Sequence, residues 1–277
     1  MTSSLTSRRA AAGLAALLVI AGAAACASVS QQQEVQIGAQ TAQQVDAQLP
    51  MLRDNVIDAY VNSLGNSIAS RTSRADLQWH FAVVNTDVIN AFALPGGYVY
   101  VNRGVLSRAS NESELAGVLG HEIEHVVRRH SVKQMEQAQG ANIGVGLACA
   151  LTRVCENQAA QAAIQVGGTA VFAKFSRADE VQADEGGFQN VIRAGINPRG
   201  MLTFFQKLLS EEQGGSSNVS AWFSDHPGTQ DRIADIQRML DQTPASQLSA
   251  LRTDSPTFQS VKQRLSQIPA APQPKQQ

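Results

Sequence analysis

The sequence predicts an α+β fold, predominantly helical, in which one main domain with a small β-sheet is built around a helix carrying His121-Glu122-Ile123-Glu124-His125. Three observations predict it. Apolar residues recur at helical spacing through most of the chain, above all after residue 111. Runs of β-branched and aromatic residues are confined to residues 77–84 and 97–101, enough for a few short strands. Finally, 43% hydrophobic against 16% charged residues over 277 positions is too apolar for a chain without a packed core.

Taken in order, residues 1–25 read as an export signal. Arg8 and Arg9 supply the positive start, and residues 10–25 form an uncharged apolar run ending in three alanines. That run is shorter than the roughly 20 residues a comfortable membrane span needs. The stretch Ala23-Ala24-Ala25-Cys26 is similar to the cleavage site of bacterial lipoproteins. The similarity implies cleavage before Cys26 and acylation of that residue. Ala27 and Ser28 follow in place of an aspartate, which implies the inner leaflet of the outer membrane, facing the periplasm.

Residues 26–50 read as a tether and an N-terminal helix with Val35, Ala39, Ala42 and Val45 on one face, stopped by Leu49-Pro50. Helical spacing resumes over 54–70 through Val56, Tyr60, Leu64 and Ile68, and the two strands follow. Asn111, with Glu114 three residues on, makes a capping-box-like start for a helix running to about Gln139. Residues 140–172 read as a Gly/Ala-rich helical hairpin whose apolar stretch is too short to span a bilayer. Cys149 and Cys155 lie there. In a continuous helix they would be about 9 Å apart along the axis, so a disulfide requires a break near Thr152, and two buried free thiols are the equal alternative. Ser176 caps a helix to about Arg193, Asn197-Pro198 opens another to about Gln213, and a last helix covers 229–240. The main domain is thus expected over 51–242, with a Gln/Ser/Pro-rich tail over 243–277.

Charge narrows the partners. With 22 Lys+Arg against 23 Asp+Glu the net charge is −1, and loss of Arg8 and Arg9 with the signal leaves 20 against 23. No basic excess exists for binding nucleic acid. Three cysteines exclude a dense disulfide framework.

The chemistry centres on the H-E-x-x-H pattern. Histidines four apart share a helical face within reach of one metal ion, while Glu122 is offset so that it can address a water. The residues just before it, Leu115 to Gly120, are apolar or small all round, so the polar side chains enter a buried setting where a metal would satisfy them. A third protein ligand is expected in the helix after Ser176. There Glu180 and Asp184 share a face: Glu180 can complete a His₂Glu set, and Asp184 can take the second ring N–H of a ligand histidine. Asp179 and Glu185 point elsewhere. His130, five residues after His125 on another helical face, reads as a surface residue, and His80 has no acidic neighbour in its strand.

Together, the segments Asn90 to Gly97, Asn111 to His125 and Ser176 to Asp184 resemble the zinc metallopeptidase family that includes the HtpX membrane proteases and the CAAX prenyl endopeptidases, in its soluble periplasmic lipoprotein branch. The resemblance implies one Zn²⁺ per chain bound by His121, His125 and Glu180, with Glu122 as general base, in a metallopeptidase domain over 51–242. Asp225-His226-Pro227 resembles that family's His-Pro segment, and His226 is expected in the cleft, either stabilising the oxyanion or occupying the open zinc position. Asn90, Ala91 and Phe92 resemble an edge that binds extended peptide, with a plain loop before the Pro95-Gly96-Gly97 turn as the alternative. The expected activity is hydrolysis of misfolded or unassembled envelope proteins at a membrane held through the lipid anchor. The competing expectation is a non-catalytic zinc lipoprotein acting as a chaperone or adaptor.

Overall fold

The computed structural model describes residues 28–138 and 175–269. The export signal with Cys26, the 140–172 hairpin and both Cys149 and Cys155 fall outside the described residues.

Helix α1 (Gln31–Gln48) begins at a capping box, in which Ser30 accepts from the Gln33 N–H and the Gln33 side chain reaches back. It ends before Leu49-Pro50, as the sequence predicts. Its buried face differs from the predicted one. Glu34, Gly38, Ala42 and Val45 are buried, whereas Val35 is 36% exposed, because Glu34 turns inward to meet arginines from elsewhere in the fold. Helix α2 (Asn55–Ala69) is capped by Asp54 and buries Ile57, Val61, Leu64 and Ile68.

The sheet consists of β1 (His80–Val84), β2 (Ala91–Leu94) and β3 (Tyr98–Asn102) in the order β1-β3-β2. β3 runs parallel to β1 and antiparallel to β2. Side chains alternate with period two between its faces. Phe81, Val83, Ala91, Ala93, Val99 and Val101 enter the main core, while Val84, Leu94 and Tyr100 pack beneath α1. The sheet is therefore covered on both sides, and α1 is one of its layers.

Beyond the short α3 (Arg103–Arg108) comes α4 (Glu112–Val127), buried along nearly its whole length and carrying the H-E-x-x-H residues. Asn111 accepts from the Glu114 N–H, but the Glu114 carboxylate takes the Ser110 N–H, so the cap is a variant of the expected box. The predicted continuous helix to Gln139 is corrected. It stops at Arg128, Arg129 adopts φ 58°, and residues 130–138 are helical again.

Helices α5 (Arg177–Arg193) and α6 (Arg199–Gln213) pack on α4. Contact between α4 and α5 is close because Gly120 faces Gly187: a Cβ on Gly187 would stand 2.9 Å from the Gly120 backbone. Then follow α7 (Ser220–Asp225) and α8 (Thr229–Gln242).

The expected tail is a second correction, since residues 245–267 fold back as α9 (Ala245–Ser249) and α10 (Pro256–Gln267). Ser255 caps α10, Pro256 takes its first turn, and Phe258, Val261 and Leu265 fall on one buried face. Glu112 at the start of α4 locks the segment in place, accepting from Tyr60, Arg252 and Ser255. Polar composition concealed this short amphipathic helix.

Candidate metal centre and active site

The polar residues of α4 meet the first turns of α5 and the start of α8 at one buried point. His121 and His125 project from α4, Glu180 and Asp184 from α5, and His226 from the turn before α8. All five are almost wholly buried. Gly228, at φ 83°, reverses the chain so that His226 and Arg232 face the same centre.

His121, His125, Glu180 and His226 each present one donor atom, all within 4.8 Å of one another. His121 Nε2 lies 3.0 Å from His125 Nε2 and 3.2 Å from His226 Nδ1. Glu180 oxygens stand 3.5 Å from His121 Nε2, 3.5 Å from His125 Nε2 and 3.2 Å from His226 Nδ1. Tetrahedral zinc with bonds near 2.0–2.1 Å spaces its ligand atoms about 3.3 Å apart, so this donor set has the size such an ion requires. Glu122 gives a second sign of fit. Among the described residues both its carboxylate oxygens are buried without a hydrogen-bond partner, facing a place where a ligand or water would satisfy them.

A supporting shell holds the donors. His121 Nδ1 is 2.8 Å from Asp184 Oδ1, which makes Asp184 the acceptor for the ring's second N–H. Arg232 spans both acids, with Nη1 2.7 Å from Glu180 and Nε 2.6 Å from Asp184. Asn90 donates to Asp225, the residue before His226, over 2.9 Å. This contact places the Asn90-Ala91-Phe92 segment beside the centre, and Ala91 and Phe92 belong to β2, at one side of the sheet. Among the described residues β2 pairs with β3 alone.

Electrostatics are dominated by enclosure. Burial raises the Glu122 pKa above the ordinary carboxylate range, against the opposing charges of His226 and His121. For Glu180 burial acts the same way, but His226, His121 and Arg232 outweigh it and hold the carboxylate well below its usual value. Asp184 is likewise lowered, Arg232 overcoming burial. Burial and Arg232 pull His121 down, yet its bonds to Asp184 and Glu180 win and bring it to about 9 in the metal-free protein. Two ionised acids thus sit at the centre, bridged and balanced by Arg232.

One sequence expectation changes. His130 is buried, not a surface residue: its Nδ1 lies 2.9 Å from His125 Nδ1, because the break at Arg128-Arg129 carries it back beneath the site. Arg232, which the sequence places with His226 in the segment resembling the family's His-Pro segment, is buried among the acids. Aromatic rings complete the surroundings without any sequence signal that marks them. Phe175 stacks on His125 at 3.9 Å between centroids, and Trp222 lies 4.6 Å from His226.

Comparison with known proteins agrees with this geometry. The model of peptidase family M48 matches residues 55–240. The chain is 33% identical over 228 residues to a β-barrel assembly-enhancing protease of Escherichia coli K12, covering 80% of this chain and 46% of that protein. It is 30% identical to a mitochondrial metalloendopeptidase OMA1 of Schizosaccharomyces pombe, over 79% of this chain and 63% of the other. It is 28% identical to the metalloprotease LoiP of E. coli K12, over 76% and 81%. The chain spans about half the length of the β-barrel assembly-enhancing proteases it matches. The match over 55–240 contains every donor of the candidate centre, and the chain therefore belongs to peptidase family M48, a family of zinc metallopeptidases.

Proposed function

We propose that the protein is a zinc-dependent endopeptidase that cleaves misfolded or unassembled cell-envelope proteins. The observation that carries the reading is the donor set of His121, His125, Glu180 and His226, at tetrahedral spacing beside an unpartnered Glu122. The envelope substrate rests on the name of the β-barrel assembly-enhancing relatives. No helix of the described residues is long and apolar enough to cross a membrane. Attachment through acylated Cys26, at the inner leaflet of the outer membrane, rests on the lipoprotein-like segment Ala23-Ala24-Ala25-Cys26.

His121, His125 and Glu180 would hold one Zn²⁺, which supplies a Lewis acid to polarise the peptide carbonyl and acidify water. Glu122 is the general base. Its buried, uncompensated carboxylate has a raised proton affinity and is suited to accept a proton and return it to the leaving amine. Asp184 orients His121 through Nδ1, and Arg232 keeps both acids ionised. Extended substrate would add to β2 at Ala91 and Phe92, with Asn90 tying that strand to the His226 turn.

Of the two roles open to His226, its position favours the resting cap. Its Nδ1 sits among the donors and its Nε2 lies 3.5 Å from Glu122. In that position it would fill the open coordination place and must swing aside for substrate. Accordingly, Glu122→Gln should retain zinc and lose casein cleavage, and full cleavage by that variant would refute the enzyme reading. His226→Ala should raise basal cleavage. Unchanged zinc content and turnover in that variant would remove His226 from the site.

A further inference from the structure

We propose that His130 is a positioning residue for zinc, fixing the tautomer and orientation of His125, and that the break in the active-site helix is what delivers it. The proposal rests on the reading of His125 as a zinc ligand.

His125 turns Nε2 toward the centre, 3.0 Å from His121 Nε2 and 3.5 Å from Glu180. Its Nδ1 points the opposite way, to His130 Nδ1 at 2.9 Å. A histidine that binds metal through Nε2 carries its proton on Nδ1. That proton must then be donated to His130 Nδ1, which acts as acceptor. His130 in turn carries its own proton on Nε2, which faces Gln182 Oε1 at 3.4 Å and Asp179 Oδ1 at 3.5 Å. Reversing the order would place a proton on His125 Nε2, where the ion belongs. One arrangement of protons therefore satisfies all the groups and leaves the metal-facing nitrogen free.

The two ligand histidines are held by different means. His121 has a carboxylate, Asp184, which can only accept. His125 has a neutral ring, whose acceptor nitrogen is defined by acceptors on the first turns of α5, the helix that also supplies Glu180.

Placement of His130 depends on the helix break. In an unbroken helix a residue five positions on lies about 140° around the axis from His125 and could not return to it. Arg129, with φ 58°, makes the turn in a conformation uncommon for a non-glycine residue. The turn is pinned from outside, since Arg129 Nε donates to Glu34 Oε2 at 2.8 Å and its guanidinium also bonds the Val29 carbonyl.

The experiment uses the full chain stripped of metal, titrated with zinc against a chromogenic chelator, for wild type, His130→Phe and His130→Asn. Asparagine places an acceptor oxygen where the His130 Nδ1 stood; phenylalanine fills the space with none. The Phe variant should bind zinc 10–100-fold more weakly and the Asn variant should recover most of that loss, while the metal-free forms of the two melt alike. Wild-type affinity in the Phe variant, or equal loss in both variants, would overturn the proposal. If the wild type itself takes up no zinc, the ligand reading of His125 fails, and this proposal with it. Should His130→Phe not fold, imidazole nitrogen NMR of the zinc-loaded wild type decides: protons on His125 Nδ1 and His130 Nε2 support the arrangement, and a proton on His130 Nδ1 ends it.

Discussion

Glu34 and Glu122 are both carboxylates taken wholly out of water, and their surroundings are opposite. Glu34 accepts from Arg74 through both oxygens at 2.7 and 3.0 Å, from Arg129 at 2.8 Å and from the Gly96 N–H at 3.2 Å. Glu122 has no hydrogen-bond partner on either oxygen among the described residues, and His226 Nε2 stands 3.5 Å away. The same helix feels both: Glu122 is in the middle of α4, while Arg74, held by Glu34, also bonds the Val126 carbonyl at its end. A matched buried carboxylate ties elements together, whereas an unmatched one costs stability and persists only where chemistry needs it. Of these two carboxylates, the unsatisfied one is the one at the candidate metal centre.

The comparison is broken most directly at Glu122 itself. Loss of a general base should reduce turnover by about 10²–10⁴-fold. Stability should move the other way, because a neutral amide costs less to bury than an unpartnered carboxylate. Glu122→Gln should thus melt at or above the wild-type temperature in the metal-free form. A clear fall would mean that Glu122 is as integrated as Glu34. The complementary change, Glu34→Ala, strips the partner from the buried Arg74 and from the half-buried Arg129, and should cost about 3–5 kcal/mol, nearly all of it at Arg74. It should appear as a lower urea midpoint at unchanged slope. A cost below about 1 kcal/mol would place Glu34 with ordinary surface pairs.

How much of this was readable in the sequence follows from the range of each interaction. His121, Glu122 and His125 were legible because their relation is a helical period. Glu180 and Asp184 were legible for the same reason once Ser176 marked the helix start. The strands β1 and β3 needed only local runs, whereas β2 stood open between edge and loop until its pairing with β3 was seen. His130 was misread because it depends on a left-handed residue at Arg129, whose partner Glu34 is distant in sequence. Glu34 was hidden in a glutamine-rich helix whose apolar pattern pointed to Val35. The last two helices were missed because Phe258, Val261 and Leu265 are three apolar positions in a polar stretch, stabilised by Glu112 from far along the chain. In each case the missing information was tertiary.

A final, smaller perturbation separates the Glu34 cluster from the helix that carries it. Ser30 and Gln33 form a local exposed pair, with the Gln33 N–H to Ser30 Oγ at 3.2 Å and the Ser30 N–H to Gln33 Oε1 at 2.9 Å. Ser30→Ala should cost about 1 kcal/mol, the usual worth of such a cap. If α1 only presents Glu34 to Arg74 and Arg129, the loss in Ser30→Ala/Glu34→Ala should equal the two single losses combined, because the two side chains share no hydrogen-bond partner and the backbone bond between the residues survives both changes. A double variant no worse than Glu34→Ala alone would show instead that α1 leaves the sheet as a unit once Glu34 is gone. The cap then has no docked helix to support, and Glu34 becomes the contact that holds this whole layer against the end of the active-site helix.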